Sequence, residues 1–242
     1  MPVLMRHHAS RDGTASASLR LSRLVALDAP ALTALEAKQA EGRVARARRE
    51  LLVEGQEIAE PRLILSGWAA RARVLPDGRR QFLSFLLPGD LIGLCRHQRP
   101  LAVSSVVALT DVVHCAAPAA SASPQLAEAY AVSQAMEEAH LLGHITRLGR
   151  LNAQERIGDL LLELHERLGM AGLVVQDGFD LPLTQETLAD ALGLTSVHVN
   201  RMLQLMRREG DLHWRNGRMT LLDPKGLAMR VGRVPVKVSA TG

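Results

Sequence analysis

Cysteine is scarce in this sequence: Cys95 and Cys115 are the only two among 242 residues. Two thiols build neither a disulfide framework nor a four-thiolate metal site, and such scarcity fits a reducing compartment. Long apolar runs are missing as well. No stretch approaches the ~18 residues of a membrane-crossing helix, so no membrane partner is expected. The N-terminal segment carries Arg6, His7, His8 and a run of Ser, Ala and Gly. It lacks the apolar core of a secretory signal, so a cytoplasmic chain with a disordered first stretch is expected. No repeat of solenoid length is present. The excess of Lys and Arg is mild, a formal +4, so any contact with nucleic acid must come from local placement of charge. Paired carboxylates, nucleophile–base pairs and Gly-rich phosphate loops of usable spacing are also lacking, and no enzyme is expected.

What is present concentrates between Thr184 and Arg208. Thr184 is placed to cap one short helix whose inward face carries Leu188, Ala189 and Leu192. Gly193 supplies a positive φ for a tight turn, and Thr195 caps a second helix. Val199, Met202, Leu203 and Met206 follow helical spacing and predict that helix's buried stripe. Its other face shows Ser196, Val197, Asn200, Arg201, Gln204 and Arg208. That face offers hydrogen-bonding groups and cations without a carboxylate, which suits the major groove of DNA. The alternative is an ordinary helical hairpin with a solvated face.

Downstream, Asp211–Trp214 and Met219–Leu222 flank Arg215-Asn-Gly-Arg218. Asn216-Gly217 favours a type I′ hairpin turn, and the two arginines beside it would meet a phosphate backbone. A helix–turn–helix followed by a basic hairpin is a winged helix. Double-stranded DNA is therefore the expected partner.

Upstream, Leu19–Leu35 reads as two short helices broken at Asp28-Ala-Pro30. From Arg43 to Ala116 short apolar runs alternate with turn residues, among them Pro76-Asp-Gly78 and Pro88-Gly-Asp90. This pattern predicts a small antiparallel barrel or sandwich. Pro124 to Arg150 predicts one helix of ~27 residues, ~40 Å long. It carries two apolar stripes, Val132/Ala135/Ala139/Leu142 and Leu141/Ile145/Leu148, one suited to its own domain and one to a twin. Asn152-Ala-Gln-Glu155 predicts a capped restart and a hinge. The expected division is a disordered tail over 1–18, a barrel over 19–120, a dimerisation helix over 121–151, a winged helix–turn–helix over 152–230 and a flexible tail over 231–242.

Taken together, Leu65-Ser-Gly67, Pro76-Asp-Gly-Arg79, Phe85 through Gly93, Ala153-Gln-Glu-Arg156-Ile and Leu183-Thr-Gln through Arg208 stand in an order that resembles the Crp/Fnr family of bacterial transcription regulators. The resemblance implies an α+β chain: a cyclic-nucleotide-binding-like antiparallel β-barrel, a long dimerisation helix and a C-terminal winged helix–turn–helix. It also implies a homodimer on a near-palindromic DNA site, acting with RNA polymerase. On that basis the DNA-contacting set is Thr184, Gln185, Thr195, Ser196, Val197, His198, Asn200, Arg201, Gln204, Arg215 and Arg218. Arg201 would read a guanine or a neighbouring phosphate, and Val197 stands where many relatives place an acid.

Relatives that bind cyclic AMP place a Glu just after the glycine matching Gly93 and an arginine about ten residues on. Here those places hold Leu94 and the Ala102–Ser105 stretch, with Arg96 and Arg99 out of register. A buried phosphate without a paired cation is costly, so no dependence on cyclic AMP is expected. Cys95 and His97 lie near the Cys-x-His pair of a haem-binding relative, which makes haem or a redox ligand the remaining cofactor candidate. The competing functional reading is a barrel-based regulatory or oligomerisation module in a signalling complex, with a degenerate DNA module.

Overall fold

The computed structural model describes residues 12–95 and 97–238. The chain opens with helices α1 (Asp12–Leu24) and α2 (Ala29–Gln39). Between them Asp28 caps α2 by accepting the Ala31 N–H at 3.0 Å, and Pro30 sits in the first turn, where no N–H is needed. Of the tail expected over 1–18, residues 12–18 belong to α1; residues 1–11 lie outside the described part. Ala17 and Leu21 of α1 are fully buried with Leu35, Leu63, Leu65 and Leu126. The segment's polar composition concealed this, because a small residue such as Ala17 lets the helix approach its neighbours closely.

Eight strands follow: β1 (Arg43–Ala45), β2 (Glu50–Leu52), β3 (Arg62–Ser66), β4 (Ala69–Val74), β5 (Arg80–Leu86), β6 (Leu91–Ile92), β7 (Ser105–Ala108) and β8 (Val112–Ala116). They form two antiparallel sheets, ordered β1-β8-β3-β6 and β2-β7-β4-β5. The sheets are not closed into a barrel, which corrects that part of the expectation. Ile64, Ile92, Ala69, Val106 and Val112 fill the space between them. Leu63, Leu65 and Cys115 on the outer face of the first sheet are covered by α1 and α2. The outer face of the second sheet presents Trp68, Phe82 and Phe85, which share one apolar core with the C-terminal domain.

Helix α3 spans Pro124–Arg150, capped by Ser123, and α4 spans Ala153–Met170. The capping box at Asn152 and Glu155 is formed in both directions. Neither apolar stripe expected of α3 is the one it buries. Its inward face is Leu126, Ala129, Tyr130, Ser133, Met136, His140, His144 and Arg147, polar in its second half. Leu142 and Ile145 remain 58% and 66% exposed.

The polar half is buried because α4 supplies carboxylates against it. Arg147, 1% exposed, meets Asp159 at 2.7 Å and Glu163 at 2.6 Å. Arg167 joins Glu163 at 3.0 Å to Asp90 at 2.7 Å, and Arg20 of α1 reaches Asp90 at 2.8 Å. Arg20 also donates to the Gly89 carbonyl, and a side chain at Gly89 would collide with it. The network thus ties α1, the turn before β6, α3 and α4 into one joint. Burial alone would raise Glu163, but the guanidiniums of Arg147 and Arg167 outweigh it and hold the acid at about 2.

His140 sits in the same joint, and burial, reinforced by Arg167, pushes it down to about 4. An unfolded histidine titrates near ~6.5, so between these values the native state binds fewer protons. Stability should therefore fall as pH drops from ~6.5 towards about 4, by up to ~3 kcal/mol, and level off below. Glu163 adds a separate loss in a lower window, from the ordinary carboxylate range down to about 2. Urea midpoints at pH 7.5 and 5.0 measure the histidine part, to which His144 and His114, also held down by burial, contribute, so His140→Gln should reduce the slope without abolishing it. An unchanged slope in that variant would contradict the assignment.

Candidate nucleic-acid interface

The C-terminal domain continues with β9 (Gly178–Asp180), α5 (Gln185–Leu192), α6 (Ser196–Arg208), β10 (Leu212–Arg215), β11 (Arg218–Leu221) and α7 (Pro224–Val231). Thr184 caps α5 by accepting the Thr187 N–H at 3.1 Å, and Thr195 caps α6 by accepting the His198 N–H at 3.2 Å. Gly193 between them has φ 64°, the left-handed conformation that a side chain rarely tolerates. Leu188 and Leu192 of α5 pack with Val199, Leu203 and Met206 of α6 and with α4. Met202, expected in that stripe, is only partly buried at its edge.

Further contacts fix α5 from outside the helix pair. Arg156 of α4 donates to the Leu192 carbonyl at 3.1 Å, satisfying a group at the helix C-terminus. Gln81 of β5 donates to the Ala191 carbonyl at 3.0 Å, and Arg80 meets Asp190 at 2.7 Å. Sequence reasoning missed these anchors, because their partners lie far along the chain. Gln185 donates to the Asn200 side-chain oxygen at 3.2 Å, which joins two of the expected DNA contacts across the helix pair.

With α6 held in this way, its outer face is free. Val197 is 77% exposed, and Ser196, Asn200, Arg201 and Gln204 are exposed beside it, with His198 half-buried at the flank. Arg201, Arg207 and Arg208 take part in no ion pair among the described residues. Arg207 is one more exposed cation at the end of the helix. The helix contains no carboxylate along its length. Three unpaired guanidiniums on one short helix make a locally positive surface on a chain of small net charge.

The wing forms as β10 and β11, paired from Leu212↔Leu221 to Arg215↔Arg218, with β9 on the other edge. Asn216 and Gly217 both have positive φ, 52° and 77°, as a type I′ turn requires. The two flanking arginines differ. Arg215 is exposed, whereas Arg218 turns back to donate to the Val175 and Gly178 carbonyls and meets Asp180 at 3.5 Å. Arg218 is therefore a brace of the wing more than a free cation. Beyond α7, within the tail expected over 231–242, one side chain has firm partners. Arg233 is held by Asp159 at 2.9 Å and Glu166 at 2.6 Å. Residues 239–242 lie outside the described part.

The sandwich carries a second site, a cavity of about 490 Å³ between the sheets and α3. Leu52, Ile58, Leu83, Leu91 and Leu101 make its walls mainly apolar. Cations enter it from a direction not anticipated in the sequence: Arg71 and Arg73 of β4 line it. Arg71 is already paired, with Glu137 of α3 at 2.6 Å, and Arg73 donates to the Val103 carbonyl at 3.0 Å. Leu94, expected in place of a ribose-binding acid, does line the cavity. Arg99 is turned outward onto Glu57 at 2.8 Å, while Arg96 lies outside the described residues. Cys95 is exposed at the cavity's edge, and His97 is an exposed loop residue whose Nδ1 accepts the Arg99 N–H. Both side chains are exposed, which does not fit an enclosed haem ligand pair. Among the described residues no three His, Cys, Asp or Glu side chains converge to hold a metal ion, and no helix is long and apolar enough to cross a membrane.

This geometry agrees with what the chain resembles. Residues 155–230 match the Crp-like helix-turn-helix domain, and residues 43–128 match the cyclic nucleotide-binding domain. The nitrogen fixation regulation protein FixK of Bradyrhizobium diazoefficiens is 33% identical over 167 residues, covering 66% of this chain and 69% of that protein. The transcriptional activator protein FnrL of Cereibacter sphaeroides is 33% identical over 156 residues, covering 61% and 62%. The structure of FixK2 from Bradyrhizobium japonicum aligns with a TM-score of 0.69 at 27% identity, over 81% of this chain and 98% of that one. The family consists of transcription regulators, not enzymes, and a degenerate DNA module is not favoured. This chain belongs to the Crp/Fnr family and is a DNA-binding transcription regulator.

Proposed function

We propose that the chain acts in the cytoplasm as a homodimer on a near-palindromic site in double-stranded DNA, and that it works at promoters through RNA polymerase. The observation that carries the DNA contact is the outer face of α6, with exposed Val197, Arg201, Gln204 and Arg208 and no carboxylate. Arg201 reads a guanine edge or grips the adjacent phosphate. Val197 contacts a thymine methyl, and Ser196, His198 and Asn200 add flanking contacts. Thr184, Gln185 and Thr195, at the N-termini of α5 and α6, approach phosphates, as does Arg215 at the wing tip. Support for the dimer comes from Leu142 and Ile145, which leave an apolar patch on the face of α3 opposite His140, His144 and Arg147. A second copy covers it.

We further propose that DNA binding needs no cyclic nucleotide. The cavity's Arg71 is paired with Glu137 and its Arg73 with Glu54, and Leu94 stands where the resemblance places a ribose-binding acid. Arg201→Ala should weaken specific binding by ~1–3 kcal/mol and relax preference at one half-site position. Arg215→Ala should lower affinity for all duplexes alike and flatten the salt dependence. Titrations of labelled duplexes at several salt concentrations separate the two behaviours. If Arg201→Ala leaves the preferred sequence and the affinity unchanged, α6 does not lie in the groove as described.

A further inference from the structure

Helix α1 lies outside both segments that match family domains, residues 43–128 and 155–230. Two of its faces are nevertheless occupied. On one, Ala17 and Leu21, a turn apart, sink into the core formed by Leu63, Leu65 and Leu126. Arg20, between them, donates to the Gly89 carbonyl at 2.8 Å and to Ser133 of α3 at 3.2 Å, and pairs with Asp90. On the other, Leu19 and Arg23, also a turn apart, meet the far end of α4. Arg23 donates to the Gly169 carbonyl in the last turn of that helix. Leu19 lies against Gly172, where an added Cβ would come within 2.8 Å of it. One short helix thus grips the sandwich with one face and the DNA-binding half with the other.

The place of that grip gives it leverage. Helix α4 starts just past the break at Leu151 and Asn152, and from Ala153 to Gly169 it runs about 24 Å. A slip of about 1 Å at the gripped end turns α4 by about 2° about the break. Helix α6 packs on α4 and follows it. We propose that α1 is a spacing ruler: by holding the end of α4 it sets the separation and phase of the two α6 helices in the dimer, and so selects DNA by the distance between half-sites. The inference rests on the reading of a homodimer on a near-palindromic site. One added base pair moves a half-site by ~3.4 Å along and ~35° around the duplex, which a held α4 cannot follow. Arg80 and Gln81 also tie α5 to the sandwich, so freeing the α1 grip removes part of the selectivity and leaves part.

The test uses the full chain and the inverted repeat enriched from random duplexes, with its centre shortened or lengthened by one and by two base pairs. The wild type should bind the enriched spacing at least about 10-fold tighter than the altered ones. Leu19→Ala combined with Arg23→Met frees only the α4 face of α1, leaving Ala17, Arg20 and Leu21 seated. That variant should lose about 3- to 10-fold on the enriched spacing, and its discrimination between spacings should fall to about 3-fold. Affinity for an isolated half-site should stay within about 2-fold, a result that damage to the DNA-binding domain would not give. Leu19→Ala with Arg23→Lys, which restores a donor to the Gly169 carbonyl, should recover part of the discrimination. An unchanged spacing preference in the Met variant, equal losses on half-site and repeat, or no recovery with Lys would each overturn the ruler. A wild type that is monomeric in sedimentation, or that enriches no repeat, would overturn the dimer reading and the ruler with it, whereas a dimeric wild type indifferent to spacing would overturn the ruler alone.

Discussion

Exchanging Arg147 for Met is expected to remove about 3–5 kcal/mol of folding stability, the largest loss from any single change considered. The side chains are similar in length, so packing is largely retained and the effect is electrostatic. Asp159 and Glu163 would keep their buried charges and lose one of two cations each, since Arg233 and Arg167 remain. Urea denaturation at neutral pH measures the loss. A change under about 1 kcal/mol would mean that water enters the joint and screens the pair. The same variant should loosen the docking of α4 against α3, and with it the orientation in which α6 is presented.

The second large effect is on assembly. Changing Leu142 and Ile145 together to Glu should convert the dimer to a monomer, because it places two charges per chain in an apolar seam. Affinity for a two-half-site duplex should then fall by about 10²- to 10⁴-fold, as the second half-site no longer binds intramolecularly. Affinity for a single half-site should hardly change. Leu141 is not equivalent: it lines the sandwich cavity and is half-buried. Sedimentation of the double variant measures the assembly. A wild type that is monomeric at micromolar concentration yet tight on a palindrome would contradict the seam.

The parts of this fold legible in the sequence are those specified locally. The Thr-capped helices around Gly193, the Asn216-Gly217 turn and the span of α3 from Pro124 to Arg150 each rest on residues within a few positions of one another. What escaped depends on distant partners. The inward face of α3 could not be read from hydrophobicity, because His140, His144 and Arg147 are buried by carboxylates that α4 supplies 12 and 16 residues after Arg147. Strand β6, two residues long, is defined only by its pairing with β3. Arg71 sits in an alternating strand segment that reads as half-exposed, and only the closing α3 makes it a cavity residue. Arg215 and Arg218 look alike beside the turn, but the carbonyls of Val175 and Gly178 claim the second.

The central claim is that α6, presented twice by a symmetric dimer, reads specific DNA. In-vitro selection from random duplexes with the wild-type chain, in the absence of any nucleotide, tests it most directly. An inverted repeat should be enriched, with half-sites about one helical turn apart and a centre tolerant of sequence. Enrichment of no sequence above background, or of a single unrepeated site bound by one chain, would contradict it.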